Sequence, residues 1–211
     1  MSVKWAYRTG DNPVDGVSKG LPKQPDRKGH FAALPYAGVP DFVRKLRATE
    51  ASESAKLAFE FLILTAARTG EVLGLKWAEI DVNQRLWTIP AMRMKAAREH
   101  RVPLGPRAVA LLELARGLAG DSEYVFPGHS GKQMSNMVFL RLLRRMGVAA
   151  TAHGFRSAFR DWAAEQTNFP RDVCEMALAH AIENKTEAAY RRGDLLEKRR
   201  ELMNAWEEFC A

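Results

Sequence analysis

The spacing of apolar residues along the chain predicts a mainly helical domain with one β-hairpin. From position 41 onward, apolar residues recur every three or four positions, as on one face of a helix. Strand-like sequence occurs at Arg85–Ile89 and His100–Leu104, which we expect to pair around a long polar tip, Met92–Glu99. The expected fold class is mainly α with a small antiparallel β-sheet (α+β). The predicted helices are Asp41–Ala48, Ser52–Ala67, Glu71–Leu75, Pro106–Leu118, Lys132–Met146, Gly154–Glu165, Asp172–Ala179, Lys185–Arg191 and Asp194–Phe209.

The first 40 residues have a different character, because Gly and Pro recur throughout them. Such punctuation favours an extended segment over packed structure. We expect residues 1–20 to be a remnant of a preceding domain, residues 21–39 to be a linker, and residues 40–211 to form the main domain. The chain would then belong to a longer protein.

Composition narrows the class of protein. Hydrophobic residues make up 46% of the 211 residues, enough for a real core. Lys and Arg outnumber Asp and Glu by 32 to 25, and this basic excess suits a polyanionic partner such as DNA if it lies on one face. The longest apolar run, Leu57–Ala67, contains Glu60 and is too short for a bilayer, so we expect no membrane partner. Cys174 and Cys210 show no zinc spacing and are expected to be free thiols in a reducing cytoplasm.

Several familiar catalytic motifs are missing from the sequence. It has no Gly-rich phosphate loop and no HExxH, and its acidic residues are scattered at helix-surface spacing. We therefore expect no cofactor and no metal, even if the substrate is DNA.

The candidate catalytic residues each have an ordinary structural alternative. Arg68 ends an apolar helix and could be a partner of the helix dipole or a surface arginine. His153 and Arg156, in HGFR, share a helix face but could be a solvated pair. His180 is the last residue of MALAH, follows an apolar helix and could cap it.

Two further candidates, Lys95 and Tyr190, are equally ambiguous by themselves. Lys95 lies in the hairpin tip, where a solvated lysine is usual, and Tyr190 lies on an amphipathic helix, where tyrosine is commonly half-buried. The ordered set Arg, Lys, His-x-x-Arg, His, Tyr is more informative. Arginines can neutralise phosphate oxygens, Lys can protonate a leaving alkoxide, His can act as acid or base, and Tyr can be the nucleophile.

The chain resembles the tyrosine recombinase (phage integrase) family, in the branch of prophages and genomic islands. The resemblance covers most of residues 40–209 and identifies the main domain as the catalytic domain, with residues 1–20 as a remnant of a core-binding domain. The matching stretches are LTAARTGEVLGLKWAEID (64–81), LWTIPAMRMKAAREHRVPL (86–104), YVFPG (124–128), AHGFRSAFRDWAAE (152–165) and LAHAIENKTEAAYRRGDLLEKRRELMNAW (178–206).

The resemblance implies a role for each candidate. Arg68 and Arg156 would clamp the scissile phosphate, with Glu71 supporting Arg68. Lys95 would protonate the departing 5′ oxygen, His153 would exchange the tyrosine proton, and His180 would donate to a phosphate oxygen. Tyr190 would be the nucleophile.

The implied activity is that of a site-specific recombinase that cuts and rejoins double-stranded DNA through a 3′-phosphotyrosine, for integration or excision of a mobile element. It implies a tetramer in the synaptic complex, and we expect the free fragment to be a cytoplasmic monomer that associates with the nucleoid through DNA. Two alternatives remain: strand breakage and rejoining like that of a type IB topoisomerase, and a non-catalytic DNA-binding module of the same fold. The last helix, Asp194–Phe209, could pack on its own domain or on a neighbouring subunit.

Overall fold

A computed structural model describes residues 33–180 and 193–211. Outside these residues lie the predicted remnant 1–20, most of the predicted linker, the predicted helix Lys185–Arg191 and Tyr190. Most helix predictions agree with the structure to within two or three residues at each end. The helices are α1 (Val39–Ala48), α2 (Glu53–Thr65), α3 (Thr69–Leu73), α4 (Pro106–Ala119), α5 (Val138–Arg145), α6 (Gly154–Gln166), α7 (Arg171–Ala177) and α8 (Leu196–Cys210).

Helix α2 lies at the centre of the core and contacts α1, α3, α4, α5 and α8. All residues from Leu57 to Thr65 are buried, which explains why this helix is apolar on all sides. Its buried carboxylate, Glu60, accepts hydrogen bonds from Arg47 of α1 and Arg107 of α4, each with a contact of 2.7 Å. Burial raises the pKa of Glu60, but the two arginines outweigh it and bring the pKa below its ordinary value. One charged group thus joins three helices.

The hairpin predicted from alternation is present, within a three-stranded antiparallel sheet of order β1-β2-β3. The strands are β1 (Ile80–Asp81), β2 (Leu86–Ile89) and β3 (His100–Pro103). The two-residue strand β1 was not predicted, because it is too short for a period of two to be visible. Between β2 and β3, Arg93 donates hydrogen bonds to the Glu79 carboxylate and to the carbonyl oxygen of Glu71, the latter at 2.6 Å. The start of the hairpin tip is therefore fixed to α3.

The helix predicted to begin at Lys132 begins instead at Val138. The preceding residues form a tight loop, in which the Gly128 N–H donates to the Lys132 carbonyl at 2.7 Å and Gly131 has a φ of +69°. The prediction extended the helix too far because Met134 and Val138 have helical spacing, whereas turn chemistry determines the conformation here.

Helix α8 packs on its own domain, as in the first of the two alternatives left open by the sequence. Trp206 is fully buried and donates its indole N–H to the carbonyl of Ile63 in α2 at 2.8 Å. Its ring stacks on Phe209 with centroids 5.6 Å apart. None of the helices in residues 33–180 and 193–211 combines the length and the apolar character needed to cross a membrane.

Candidate active site

Arg68 lies at the junction of α2 and α3, at the N-cap of α3 rather than at the end of the apolar helix as predicted. Helix α2 stops because Ala66 adopts the left-handed conformation, with a φ of 48°. The guanidinium of Arg68 donates to Glu71 Oε1 at 2.8 Å, and its main-chain N–H donates to Glu71 Oε2 at 2.8 Å. Glu71 therefore holds both the backbone and the side chain of this arginine. The other terminal nitrogen, Nη2, faces the carbonyl oxygens of Leu178 and Ala179 at 3.5 and 3.3 Å.

Arg156 is buried in the first turn of α6, with 4% of the residue exposed. Its guanidinium donates to the carbonyl oxygens of Ala66 and Leu178, the latter at 2.6 Å. Its Nε is buried without a hydrogen-bond partner, and within the described residues none of its hydrogen bonds goes to a carboxylate. Burial, together with the charge of Arg68, lowers the pKa of Arg156 to about 10, so it remains protonated at neutral pH. A buried cation of this kind favours an incoming anion.

Two histidines adjoin the arginine pair. The Nε2 atom of His180 lies 3.4 Å from Nη2 of Arg156, and its Nδ1 lies 2.6 Å from Oε2 of Glu175. His153 is exposed at the N-cap position of α6. Partial burial lowers the pKa of His153, and the neighbouring charges, those of Arg156 and Arg68 above all, lower it further. The structure thus brings together four of the predicted residues, with Glu71 supporting them.

Two predicted residues are not joined to this cluster by the described contacts. Lys95 is exposed in a turn of the hairpin tip, where Ala97 donates its N–H to the Met94 carbonyl at 3.0 Å. No hydrogen bond or ion pair of the described residues connects Lys95 with Arg68 or Arg156. Tyr190 lies outside the described residues, and its role stays a prediction.

The sequence analysis missed His100, the first residue of β3, which lines a narrow recess together with Glu71 and Arg156. Burial lowers the pKa of His100 to about 4, and the charge of Arg199 adds to this effect, while Glu71 opposes it. The imidazole lines this recess opposite the end of α7, where Ala177 and Leu178 are also among the lining residues. The sequence does place a histidine directly after the polar tip of the hairpin. The strand pattern, however, does not distinguish it from an ordinary strand residue.

The sequence analysis also missed Glu175 and Arg160. Arg160 donates from Nε to Glu175 Oε1 at 2.7 Å, one helical turn after Arg156. A carboxylate five positions before a histidine is not a recognised sequence motif. The pairing of Glu175 with His180 becomes apparent only in the structure, where the turn after α7 brings the two side chains together. Within residues 33–180 and 193–211, no group of three or more His, Cys, Asp or Glu residues could hold a metal ion.

Comparison with solved structures assigns this fold to a class. The integrase from mycobacterium phage Brujita matches with a TM-score of 0.62 at 22% identity, over 92% of this chain and 63% of that one. A lambda integrase tetramer bound to a Holliday junction matches with a TM-score of 0.59 at 16% identity, over 82% of this chain and 56% of that one. The fold is therefore that of tyrosine recombinase catalytic domains, which confirms the predicted fold class.

Sequence comparison gives the family. The model of the phage integrase family matches residues 37–195, and the chain belongs to this family. Prophage integrase IntA of Escherichia coli (strain K12) is 34% identical over 207 residues, which cover 96% of this chain and 50% of IntA. The chain thus spans about half the length of this curated relative.

Proposed function

We propose that the chain is the catalytic part of a site-specific DNA recombinase that integrates or excises a mobile element. One observation carries the proposal: Arg68 and Arg156 converge on the carbonyl oxygen of Leu178, and Arg156 is a buried cation without a carboxylate partner among the described residues. Two guanidinium groups held side by side can each donate to a non-bridging phosphate oxygen and stabilise the charge that develops there.

The proposed reaction exchanges one phosphate ester for another. The phenol oxygen of Tyr190 attacks the phosphorus while the bond to the 5′ oxygen breaks, giving a 3′-phosphotyrosine and a free 5′-hydroxyl. His153 accepts the phenol proton, and the lowered pKa that the neighbouring cations give its imidazole keeps a neutral ring available. Lys95, on the exposed hairpin tip, gives a proton to the departing oxygen. His180 donates to a phosphate oxygen beside Arg156.

Rejoining reverses these steps with the 5′-hydroxyl of a second strand. The ester bond to Tyr190 conserves the energy of the broken phosphodiester, so no nucleoside triphosphate is required. Recombination of two duplexes needs four such subunits, the number of integrase subunits on the Holliday junction in the lambda structure. We propose double-stranded DNA as the partner, a monomeric free fragment, and action in the cytoplasm on nucleoid DNA.

Capture of a covalent protein–DNA adduct tests the proposal. The probe is a pool of duplexes with a randomised core, each nicked so that a short 5′-hydroxyl strand diffuses away after cleavage. We expect adducts that survive denaturing detergent, and mass mapping of the DNA-linked peptide should locate the bond at Tyr190. The matched control, Tyr190→Phe, should bind the same duplexes without forming adducts.

Other outcomes would support the alternatives. DNA binding without any adduct would favour a non-catalytic module. Efficient relaxation of a supercoiled plasmid without strand exchange between duplexes would favour topoisomerase-like activity. Adducts that persist in Tyr190→Phe would show that another residue is the nucleophile.

A further inference from the structure

The side chain of Glu175 lies between Arg160 and His180 and contacts both. Its Oε1 accepts from Arg160 Nε at 2.7 Å, and its Oε2 lies 2.6 Å from His180 Nδ1. We propose that Glu175 is a positioning residue that fixes the ring and the tautomer of His180 for its contact with the scissile phosphate. This inference rests on the proposed function, because His180 matters only if a phosphate binds beside Arg156.

Glu175 holds the backbone of His180 as well as its ring. Two residues after α7 ends, Ala179 adopts the left-handed conformation, at a φ of 49°, and the His180 N–H then donates to the Glu175 carbonyl at 3.0 Å. The His180 side chain is 44% exposed, and a half-exposed imidazole with one contact would rotate about its χ2 bond. With Nδ1 bound to Glu175, the Nε2 atom is directed to Arg156 at 3.4 Å.

Arg160 in turn fixes the carboxylate. It follows Arg156 by one turn of α6, so a single helix carries the phosphate-binding arginine and the arginine that holds Glu175. Burial raises the pKa of Glu175, but the hydrogen bonds from His180 and Arg160 outweigh it, and the net pKa lies below its ordinary value. Glu175 is therefore ionised at neutral pH, and both of its oxygens are free of protons of their own and can accept hydrogen bonds.

This arrangement gives the imidazole two useful states. In the neutral ring, Nδ1 carries the proton that is donated to Glu175, and Nε2 accepts a hydrogen bond from Nη2 of Arg156. When a phosphate binds, Nη2 of Arg156 can donate to a phosphate oxygen in place of Nε2. The Nε2 atom can then take up a proton from solvent, keep it, and donate a hydrogen bond to the phosphate. The Glu175 carboxylate then neutralises the imidazolium from the opposite side, as an orienting carboxylate does for a catalytic histidine.

Nitrogen-15 NMR of the His180 ring tests the tautomer directly and needs no DNA. His180→Asn assigns the signal, and the chain with 15N-labelled histidine is compared with Glu175→Ala and Glu175→Gln. We expect the neutral ring to carry its proton on Nδ1 in the native chain and to lose this preference in Glu175→Ala. The same tautomer in both proteins would overturn the proposal.

A double-mutant cycle tests whether Glu175 acts through His180. At saturating DNA, with a duplex recovered from the captured adducts, Glu175→Gln should slow adduct formation about tenfold to a hundredfold, by analogy with partners that orient a metal-bound histidine. The same change in a His180→Asn background should have little further effect. Additive losses would mean that Glu175 acts independently of His180, and the proposal would be wrong.

A matched surface variant separates positioning from general loss of charge. Glu123→Gln removes a carboxylate that pairs with Lys76 at 3.0 Å and is 61% exposed. We expect its adduct formation and its His180 signal to match those of the native chain. If the native chain forms no adduct with any duplex, the proposed function fails, whereas the NMR comparison still decides the role of Glu175.

Discussion

Arg68 and Arg156 donate to the same backbone oxygen, the carbonyl of Leu178, at 3.5 and 2.6 Å from their Nη2 atoms. The two cations come from different helices and are brought together by main-chain acceptors rather than by a shared carboxylate. Leu178 can serve both because α7 has just ended, which leaves its last carbonyl groups without helical partners. Among the described contacts Glu71 forms an ion pair with Arg68 but not with Arg156, so one carboxylate faces two guanidinium groups and the pair keeps excess positive charge for a phosphate.

Replacement of either arginine by lysine should therefore impair catalysis. Lysine keeps the charge but loses the planar fork that can donate to two acceptors at once. We expect Arg68→Lys and Arg156→Lys each to slow adduct formation on the order of a hundredfold, or about 3 kcal/mol, by analogy with lost oxyanion donors. Single-turnover cleavage of the nicked duplex measures this.

A remote arginine provides the control for this prediction. Arg116 lies over the Trp77 ring at 4.3 Å, and none of its described contacts is with a candidate site residue, so Arg116→Lys should cleave at the native rate. Near-normal cleavage by both active-site variants would show that the phosphate is bound elsewhere.

His100 should make the folded domain sensitive to mild acid. The unfolded chain takes up the imidazole proton near pH 6.5, whereas burial delays uptake in the folded protein until about pH 4. Between these values the unfolded state binds more protons, so the free energy of unfolding falls as the pH falls. Summed over the interval between these two pH values, the full effect is about 3 kcal/mol.

Urea unfolding at pH 7 and at pH 4.5 measures this dependence. In His100→Gln, which keeps a polar side chain but cannot titrate, the fall in stability between the two pH values should be clearly smaller than in the native chain. If the free energy of unfolding falls equally in the two proteins, a group other than His100 causes the sensitivity to acid.

Much of the fold was predictable from the sequence, because long amphipathic and apolar segments have few alternatives. The hairpin and most helices follow from periodicity alone, and the order of Arg68, His153, Arg156 and His180 pointed to one site. What periodicity could not show is how the chain turns between elements. Ala66 and Ala179 adopt left-handed conformations that alanine seldom takes, and these turns direct the carbonyl groups that hold the arginines.

The residues that the sequence missed have roles that depend on tertiary neighbours. His100 looks like an ordinary strand residue, and Glu175 like a solvated helix residue, until β3 and the end of α7 lie beside the arginines. The helix predicted from Lys132 failed for a related reason, since local bonds between Gly128 and Lys132 override an apolar spacing.

Asp194 is expected to stabilise the start of α8. It accepts hydrogen bonds from Arg101 of β3 and from Arg199 of α8, each at 2.8 Å, and Arg199 is 1% exposed. Asp194→Asn would leave a buried guanidinium without a carboxylate, so we expect a loss of about 2 kcal/mol in the free energy of unfolding. Arg101→Gln removes the more exposed partner and should cost less than about 1 kcal/mol. Equal losses in urea unfolding would contradict this division.

Gly105 and Gly117 offer a matched pair for the packing of α8 against α4. A Cβ atom on Gly105 would lie 2.5 Å from Oε2 of Glu207, a buried carboxylate of α8 that accepts from the Ala108 N–H at 3.0 Å in the first turn of α4. Gly105→Ala should displace this carboxylate and lower the free energy of unfolding by about 2 kcal/mol. Gly117 lies inside α4 with open space around its Cβ position, so Gly117→Ala should raise stability by about 0.5–1 kcal/mol. If Gly105→Ala is instead as stable as the native chain, then Glu207 is free to move and does not cap α4. Glu207→Gln would then also be harmless in the same unfolding experiment.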